Sequence, residues 1–349
     1  MRFEIGDEAA ALRDAAEALL TGEATPAVVR AGWSDALGAD PRGPVRAVWR
    51  ELADAGVLGA LAPEAAGGLG LDEDCLAPLL ERIGWSGLPV PAAETIAVGV
   101  PLLAAAGHPA LPAVLAGDAL VAAQLGGGDL VPFGRGAELV LLRRGDQVIA
   151  HERGELRLEP VPAVDGSRAL ARLTRSPVGG VVVADGPDAC AAAWRHGVLG
   201  TSALLTGLAD RMLRLTVDYV KQRRQYGVPV GSFQALKHAL ASALLALEFA
   251  RPAVLAAGWA QAAGLPDAGE QTSIAKVLAS DAARLVARTA IQCHGAIGYT
   301  TEYDLHLFAK RVWALAPSWG DASRHRAELA GALGLGGPDP SNPEGARAA

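Results

Sequence analysis

The sequence predicts a mainly α protein in which a small β domain separates two helical domains. Three features predict it. Apolar residues recur at helical spacing through the first third of the chain. Near Leu120 the character changes to β-rich runs punctuated by glycine turns. From about Asp188 the helical period returns in long runs joined by short connections, the pattern of an antiparallel bundle.

The elements follow in order. Residues 7–20 place Leu12, Ala15, Ala16, Leu19 and Leu20 on one side of a helix, and residues 44–56 do the same with Val45, Val48, Trp49, Leu52 and Ala53. "LAPEAAGGLGL" (61–71) is a loop, and Asp72 can cap a helix running to about Trp85. These belong to an N-terminal helical domain, 1–117. In the middle β domain, 118–188, "ELVLLRRGDQVIAHE" reads as a hairpin turning at Gly145-Asp146. "GELRLEPV" alternates, and "GGVVVADG" reads as a short buried strand. The C-terminal helical bundle, 189–335, holds helices at about 190–224, 232–263 and 270–293, then a pair near 302–315 and 320–333. Ile274, Val277, Leu278, Leu285 and Val286 form one apolar stripe of the third. The Gly/Pro-rich tail 336–349 is predicted to be disordered.

Composition excludes several classes of function. The net charge is −7 and no basic cluster stands out, so nucleic acid is not an expected partner. Cys75, Cys190 and Cys293 lie far apart with no CxxC, which supports neither a disulfide framework nor a metal site. The N-terminus has acids where a signal peptide needs a basic start. The apolar stretch from Thr95 to Leu125 is broken by Pro and Gly, so no membrane span is expected there and a cytoplasmic location is. Four of the seven tryptophans, Trp194, Trp259, Trp313 and Trp319, are pocket walls or ordinary core, and core is expected for each.

Two segments carry chemistry. In "DYVKQRRQYGVPVGSFQALKHALA" (218–241) a helix ends, the chain breaks at Gly227–Gly231, and a helix capped by Ser232 begins. Arg223 and Arg224 in the last turn suit the helix dipole. Alternatively, Arg223 reaches a phosphate, whose geometry a guanidinium matches. In "QCHGAIGYTTEYD" (292–304) the Cys293–His294 pair lacks the surroundings of a thiol enzyme or metal site. Gly295 and Gly298 instead allow close approach to the backbone, and Thr301 can cap the following helix.

The chain resembles the acyl-CoA dehydrogenase family of flavoproteins. "RRQYGVPVGSFQALKHALA" resembles that family's Arg-x-x-Phe-Gly…Phe-Gln segment, with Tyr226 for the usual Phe. "QCHGAIGYTTEYDLH" resembles its Gln-x-x-Gly-Gly-x-Gly segment, with Ala296 for one Gly, and "PEAAGGLGL" its N-terminal loop. The resemblance implies the acyl-CoA dehydrogenase fold, a tetramer, FAD and an acyl-CoA substrate. In the family each FAD is shared: one subunit's β domain cradles the flavin ring, and a neighbour's bundle binds the pyrophosphate and adenosine. Arg223, Gln234, Gln292 and Gly295 match that second set.

Two departures bear on function. The family's usual catalytic Glu corresponds to Trp319 in "APSWGDASRHR" (316–326), and an indole accepts no proton. The other family position for the base falls in "ACAAAWRHGVLGTSALL" (189–205), which has no Asp or Glu. Asp321 is the one candidate for a displaced base, although capping the helix 322–333 is its simpler role. Glu248 matches a structural position. The β domain also lacks the family's Thr-Glu-Pro-like and Trp-[Ile/Val]-Thr segments. The resemblance therefore implies the degenerate, β-type subunit of an α2β2 heterotetramer of the actinobacterial kind. A catalytic α-type subunit would supply base and flavin pocket, an acyl-CoA, sterol-derived as in several enzymes of that kind, would be the substrate, and an electron-transferring flavoprotein would accept the electrons. The alternatives are a self-sufficient homotetramer using Asp321, or a non-catalytic scaffold.

Overall fold

The computed structural model describes residues 5–33 and 43–335, so the tail expected to be disordered lies outside the described residues. The N-terminal helices are α1 (Asp7–Glu23), α2 (Pro26–Ala31), α3 (Pro44–Asp54), α4 (Leu76–Ser86), α5 (Val100–Ala105) and α6 (Leu111–Leu115). A buried π-helical stretch, Ala93–Gly99, leads into α5. Leu12, Ala16 and Leu20 of α1 and Val48, Trp49 and Leu52 of α3 are buried, as their period requires, whereas Ala15 is exposed. Asp72 makes no side-chain cap; the chain enters α4 through a 3-10 turn at Glu73–Cys75.

Seven strands follow: β1 (Val121–Gln124), β2 (Leu130–Val131), β3 (Leu139–Arg144), β4 (Gln147–Glu152), β5 (Leu158–Pro160), β6 (Ala171–Leu173) and β7 (Val181–Asp185). They make two sheets, ordered β1-β3-β4-β7 and β2-β6-β5. The β3–β4 hairpin turns at Gly145-Asp146, where Gly145 has φ +59°. The strand expected to be buried, β7, is an edge strand with Val181 and Val182 exposed. A sheet edge has a neighbouring strand on one side alone.

The bundle consists of α7 (Pro187–Gln222), α8 (Gln234–Ala262), α9 (Ala268–His294), α10 (Leu305–Leu315) and α11 (Ala322–Ala332), with a two-stranded ribbon, β8 (Arg224–Gln225) and β9 (Val228–Pro229), between α7 and α8. The 36-residue α7 is the axis of the molecule, packed against α4 on one side and α8 and α9 on the other. Ser232 does not cap α8, since its hydroxyl donates to the Pro229 carbonyl and the helix starts after Phe233. Glu248 is structural, pairing with Arg251, which also bonds Glu81 of α4 and Asp210 of α7.

The expected stripe of α9 is split. Val277 and Val286 are buried, but Ile274 and Leu278 face outward. Leu244, Leu245 and Phe249 of α8 are exposed as well, Phe249 to 70%. By length and composition α8 is apolar enough to cross a membrane. Within this fold its inner face packs on α9 and α7 while its outer face stays apolar. The apolar arcs of α8 and α9 are thus wider than one chain can cover, and large exposed patches of this kind mark interaction surfaces.

Candidate functional site

A cavity of about 590 Å³ lies where α7 ends, α8 begins and α9 ends. Arg223, Tyr226, Phe233, Gln292, His294 and Gly295 are among its walls. Three of the four residues matched to the cofactor motifs therefore meet although Arg223 and Gln292 are 69 positions apart in sequence. The fourth, Gln234, is the first residue of α8, between the wall residues Phe233 and Ala235.

Local folding explains the convergence. Arg223 is not in the last helical turn; it follows α7 in extended backbone, with ψ 126°. Lys221 serves the dipole instead. Arg224 has left the helix for β8. The β8–β9 ribbon turns on Tyr226 and Gly227, both with positive φ (52° and 80°), as a type I′ turn requires. A tyrosine in that region is strained, and strain of this kind concentrates at ligand sites. Tyr226 is 92% exposed and meets Phe233 edge to face. Among the described residues, the Arg223 side chain has no hydrogen-bond or ion-pair partner, and it is exposed.

The other wall is the end of α9. Gly295 has φ +66°, and its N–H closes the helix on Ile291 and Gln292. What it offers a ligand is a bare Cα, with open space where a side chain would be. Gly298 has another role: a Cβ there would strike the Cβ of His294 at 2.7 Å. Thr301 does not cap α10, whose N-cap is Asp304, bonded to Arg30. His294 is buried and stacked on Tyr219, with centroids 4.3 Å apart. Its Nδ1 donates to the Ala290 carbonyl, and burial pushes its pKa down, so the ring is neutral at pH 7. Neither Cys293 nor His294 has the partner a nucleophile needs; burial raises the Cys293 thiol.

A second constellation surrounds the turn between α10 and α11. Trp319 is buried with φ +58°. Its indole covers the bare Cα of Gly197 in α7, where a Cβ would lie 2.4 Å from the ring. It is also tilted against Trp194 at 5.4 Å between centroids. Basic side chains hold the carbonyls of this turn. Arg168 donates to Ala314 at 3.1 Å, Lys276 to Ala316 at 2.7 Å, and His325 Nε2 to Trp319 at 2.9 Å. The Ser273 hydroxyl donates to His325 Nδ1 at 3.0 Å. Asp321 is the N-cap of α11, accepting from the Arg324 N–H at 2.8 Å.

The chain matches the family descriptions "Acyl-CoA dehydrogenase, N-terminal domain" over residues 6–113 and "Acyl-CoA dehydrogenase, C-terminal domain" over residues 185–333. It is 34% identical to Acyl-CoA dehydrogenase IpdE2 of Mycobacterium tuberculosis over 314 residues, covering 88% of this chain and 91% of that protein.

It belongs to the acyl-CoA dehydrogenase family.

Among solved structures it is similar to the ChsE4–ChsE5 complex of Mycobacterium tuberculosis, with a TM-score of 0.82 and 22% identity over 97% of this chain and 100% of that one. It is also similar to the Tcur3481–Tcur3483 steroid ACAD, with a TM-score of 0.83 and 26% identity over 95% and 99%.

FAD is the cofactor of this acyl-CoA dehydrogenase family, and the cavity at α7, α8 and α9 fits its phosphate end. It offers an exposed guanidinium, a side-chain amide and a turn with no side chain in the way. Trp319, which the resemblance aligns with the family's usual Glu, presents an indole there, and the same ring covers Gly197, in the stretch that the resemblance makes the other base position. Asp321 is ill suited to replace either. The Arg324 N–H holds its carboxyl below the usual range, opposite to the raised pKa of a general base. Asp321→Asn keeps a good cap. It is expected to leave both melting temperature and acyl-CoA turnover nearly unchanged; a large loss of turnover alone would restore Asp321 as a base.

Sequence reasoning missed the Trp194–Trp319 pair and Lys276. Lys276 is fully buried, and burial lowers its amine to about 7. The unfolded chain then binds more protons between that value and about 10.5, so stability rises with pH across this window. Lys276→Met is expected to flatten the pH dependence of the melting temperature between pH 7 and 10, measured calorimetrically. An unchanged slope would contradict a neutralised lysine.

Proposed function

We propose that this chain is the β-type subunit of a heterotetrameric, FAD-dependent acyl-CoA dehydrogenase. The observation that carries the reading is the cavity that unites Arg223, Gln292 and Gly295 in a chain whose position 319 holds a buried indole. When bound, FAD supplies the hydride acceptor for α,β-dehydrogenation of the thioester. Arg223 would pair with the pyrophosphate, Gln292 and Gln234 would orient its neighbouring groups, and Gly295 would let it lie close to the backbone. The catalytic subunit would supply base and flavin pocket.

The exposed apolar faces of α8 and α9 support an oligomer, because α8 begins at the cofactor cavity and runs on as an apolar surface. Similarity to the ChsE4–ChsE5 complex supports a heteromeric partner, and similarity to the Tcur3481–Tcur3483 steroid ACAD supports a sterol-derived thioester. An electron-transferring flavoprotein is the proposed acceptor. The displaced-base alternative is disfavoured by the capping geometry of Asp321.

The test is expression of the chain alone and together with a catalytic-type subunit. Flavin absorbance and acyl-CoA turnover are expected from the pair, and neither from the single chain. Yellow, active protein from the single chain would overturn the heteromer.

A further inference from the structure

Two cavities flank Trp194. One, of about 400 Å³, faces the bundle and is lined by residues that include Arg195, Glu270, Ser273 and Glu328. The other, of about 670 Å³, lies under the β domain, with Leu130, Pro132, Leu170 and Trp313 in its wall. Leu125, Gly126, Trp194 and Arg324 line both, so they form the partition. Trp194 is its centre. A Cβ on Gly126 would lie 3.0 Å from the Trp194 ring, so the strand-end loop packs directly on the indole. The Arg324 guanidinium lies over the same ring at 4.8 Å, and Trp319 leans on it from the β-domain side. Trp319 is in turn fixed by the His325 bond to its carbonyl and admitted by the missing side chain of Gly197. A non-glycine residue with positive φ, seated over a glycine and tied by a buried histidine, is strongly over-determined by its surroundings.

We infer that Trp194 and Trp319 form a plug. They divide one crevice between the β domain and the bundle, and they shut this chain's own slot against an elongated apolar ligand such as an acyl chain. The inference rests on the reading that a partner chain, not this one, holds the reacting thioester. It goes beyond a missing base: an indole pair closes the slot sterically, whatever group moves the proton.

The experiment uses the co-expressed complex and the probe 11-(dansylamino)undecanoic acid, an elongated apolar acid whose emission shifts to the blue in a dry cavity. Trp194→Ala is expected to bind one additional probe per copy of this chain, at least tenfold more tightly than wild type. Trp194→Phe should behave like wild type, and excess indole should displace the additional probe. Trp319→Ala opens the wall from the other side, and Trp194→Leu serves if an alanine variant does not fold. Wild type binding the probe as tightly as Trp194→Ala would overturn the plug. So would folded variants, verified by melting temperature, that gain no site. Flavin absorbance of the same samples reports separately on the shared-cofactor reading, because Arg223 and its cavity are remote from these substitutions in the fold.

Discussion

Arg223→Ala is expected to strip FAD from the co-expressed complex, with FAD binding weakened by about 10- to 150-fold. The magnitude follows from removing a hydrogen bond between charged groups, worth about 1.5–3 kcal/mol. No structural penalty competes with it. Arg223 is exposed, lies in extended backbone after α7 and bonds no other side chain among the described residues. The melting temperature of the chain alone should therefore stay near wild type while the flavin-to-protein absorbance ratio of the complex falls. Arg223→Lys keeps the charge but loses the planar fork, so an intermediate affinity is expected. Added salt should weaken the wild-type interaction and have less effect on Arg223→Ala. A complex that keeps its full flavin after Arg223→Ala would remove the phosphate role, and with it the main support for a shared cofactor.

The largest effect on stability is expected at Gly207. This glycine lies in the middle of α7, where it crosses α4. A Cβ at Gly207 would lie 1.9 Å from the Glu81 carbonyl oxygen and 2.6 Å from the Trp85 nitrogen, both backbone atoms. Gly84 of α4 faces the backbone of Leu204 in the same way, at 2.3 Å. The two helices touch main chain to main chain, so no side chain can rotate aside. Gly207→Ala must push the helices apart, at a cost of about 3 kcal/mol, the upper end for overpacked cores. For a chain of this size that lowers the melting temperature by roughly 4 °C. Gly331→Ala is the control. It is also helical, but nothing lies near its added Cβ, so the better helix propensity of Ala should raise stability by a few tenths of a kcal/mol. Equal melting temperatures for the two variants would show that α4 and α7 are not in backbone contact.

How much of the site was legible depended on whether the signal was local. The glycines of 292–298 and the arginine of 223 carry a motif that a single strand of text displays, and the cavity walls include Gly295 and Arg223. The arginine's exact place was less legible: the positive-φ turn at Tyr226 pulls the chain into a ribbon, so Arg223 ends outside the helix. Ser232 and Thr301 have capping chemistry, yet neither caps, because Phe233 and Asp304 hold the N-cap positions. Ile274 and Leu278 have core chemistry and face outward. Periodicity reports which side of a helix is apolar, not whether one chain supplies enough partners to cover it.

The sequence by itself determined the order of helical, β and helical segments and singled out Arg223, Gln292 and Gly295, which meet at one cavity. Helical period, strand alternation and turn glycines are short-range properties, readable within a few residues. Tertiary structure alone decided that burial lowers the Lys276 amine to about 7 and that Trp319 lies across Gly197 against Trp194. Each depends on groups distant in sequence that approach within a few ångströms. Burial, hydrogen-bond geometry and steric exclusion have no meaning until the chain has folded around them.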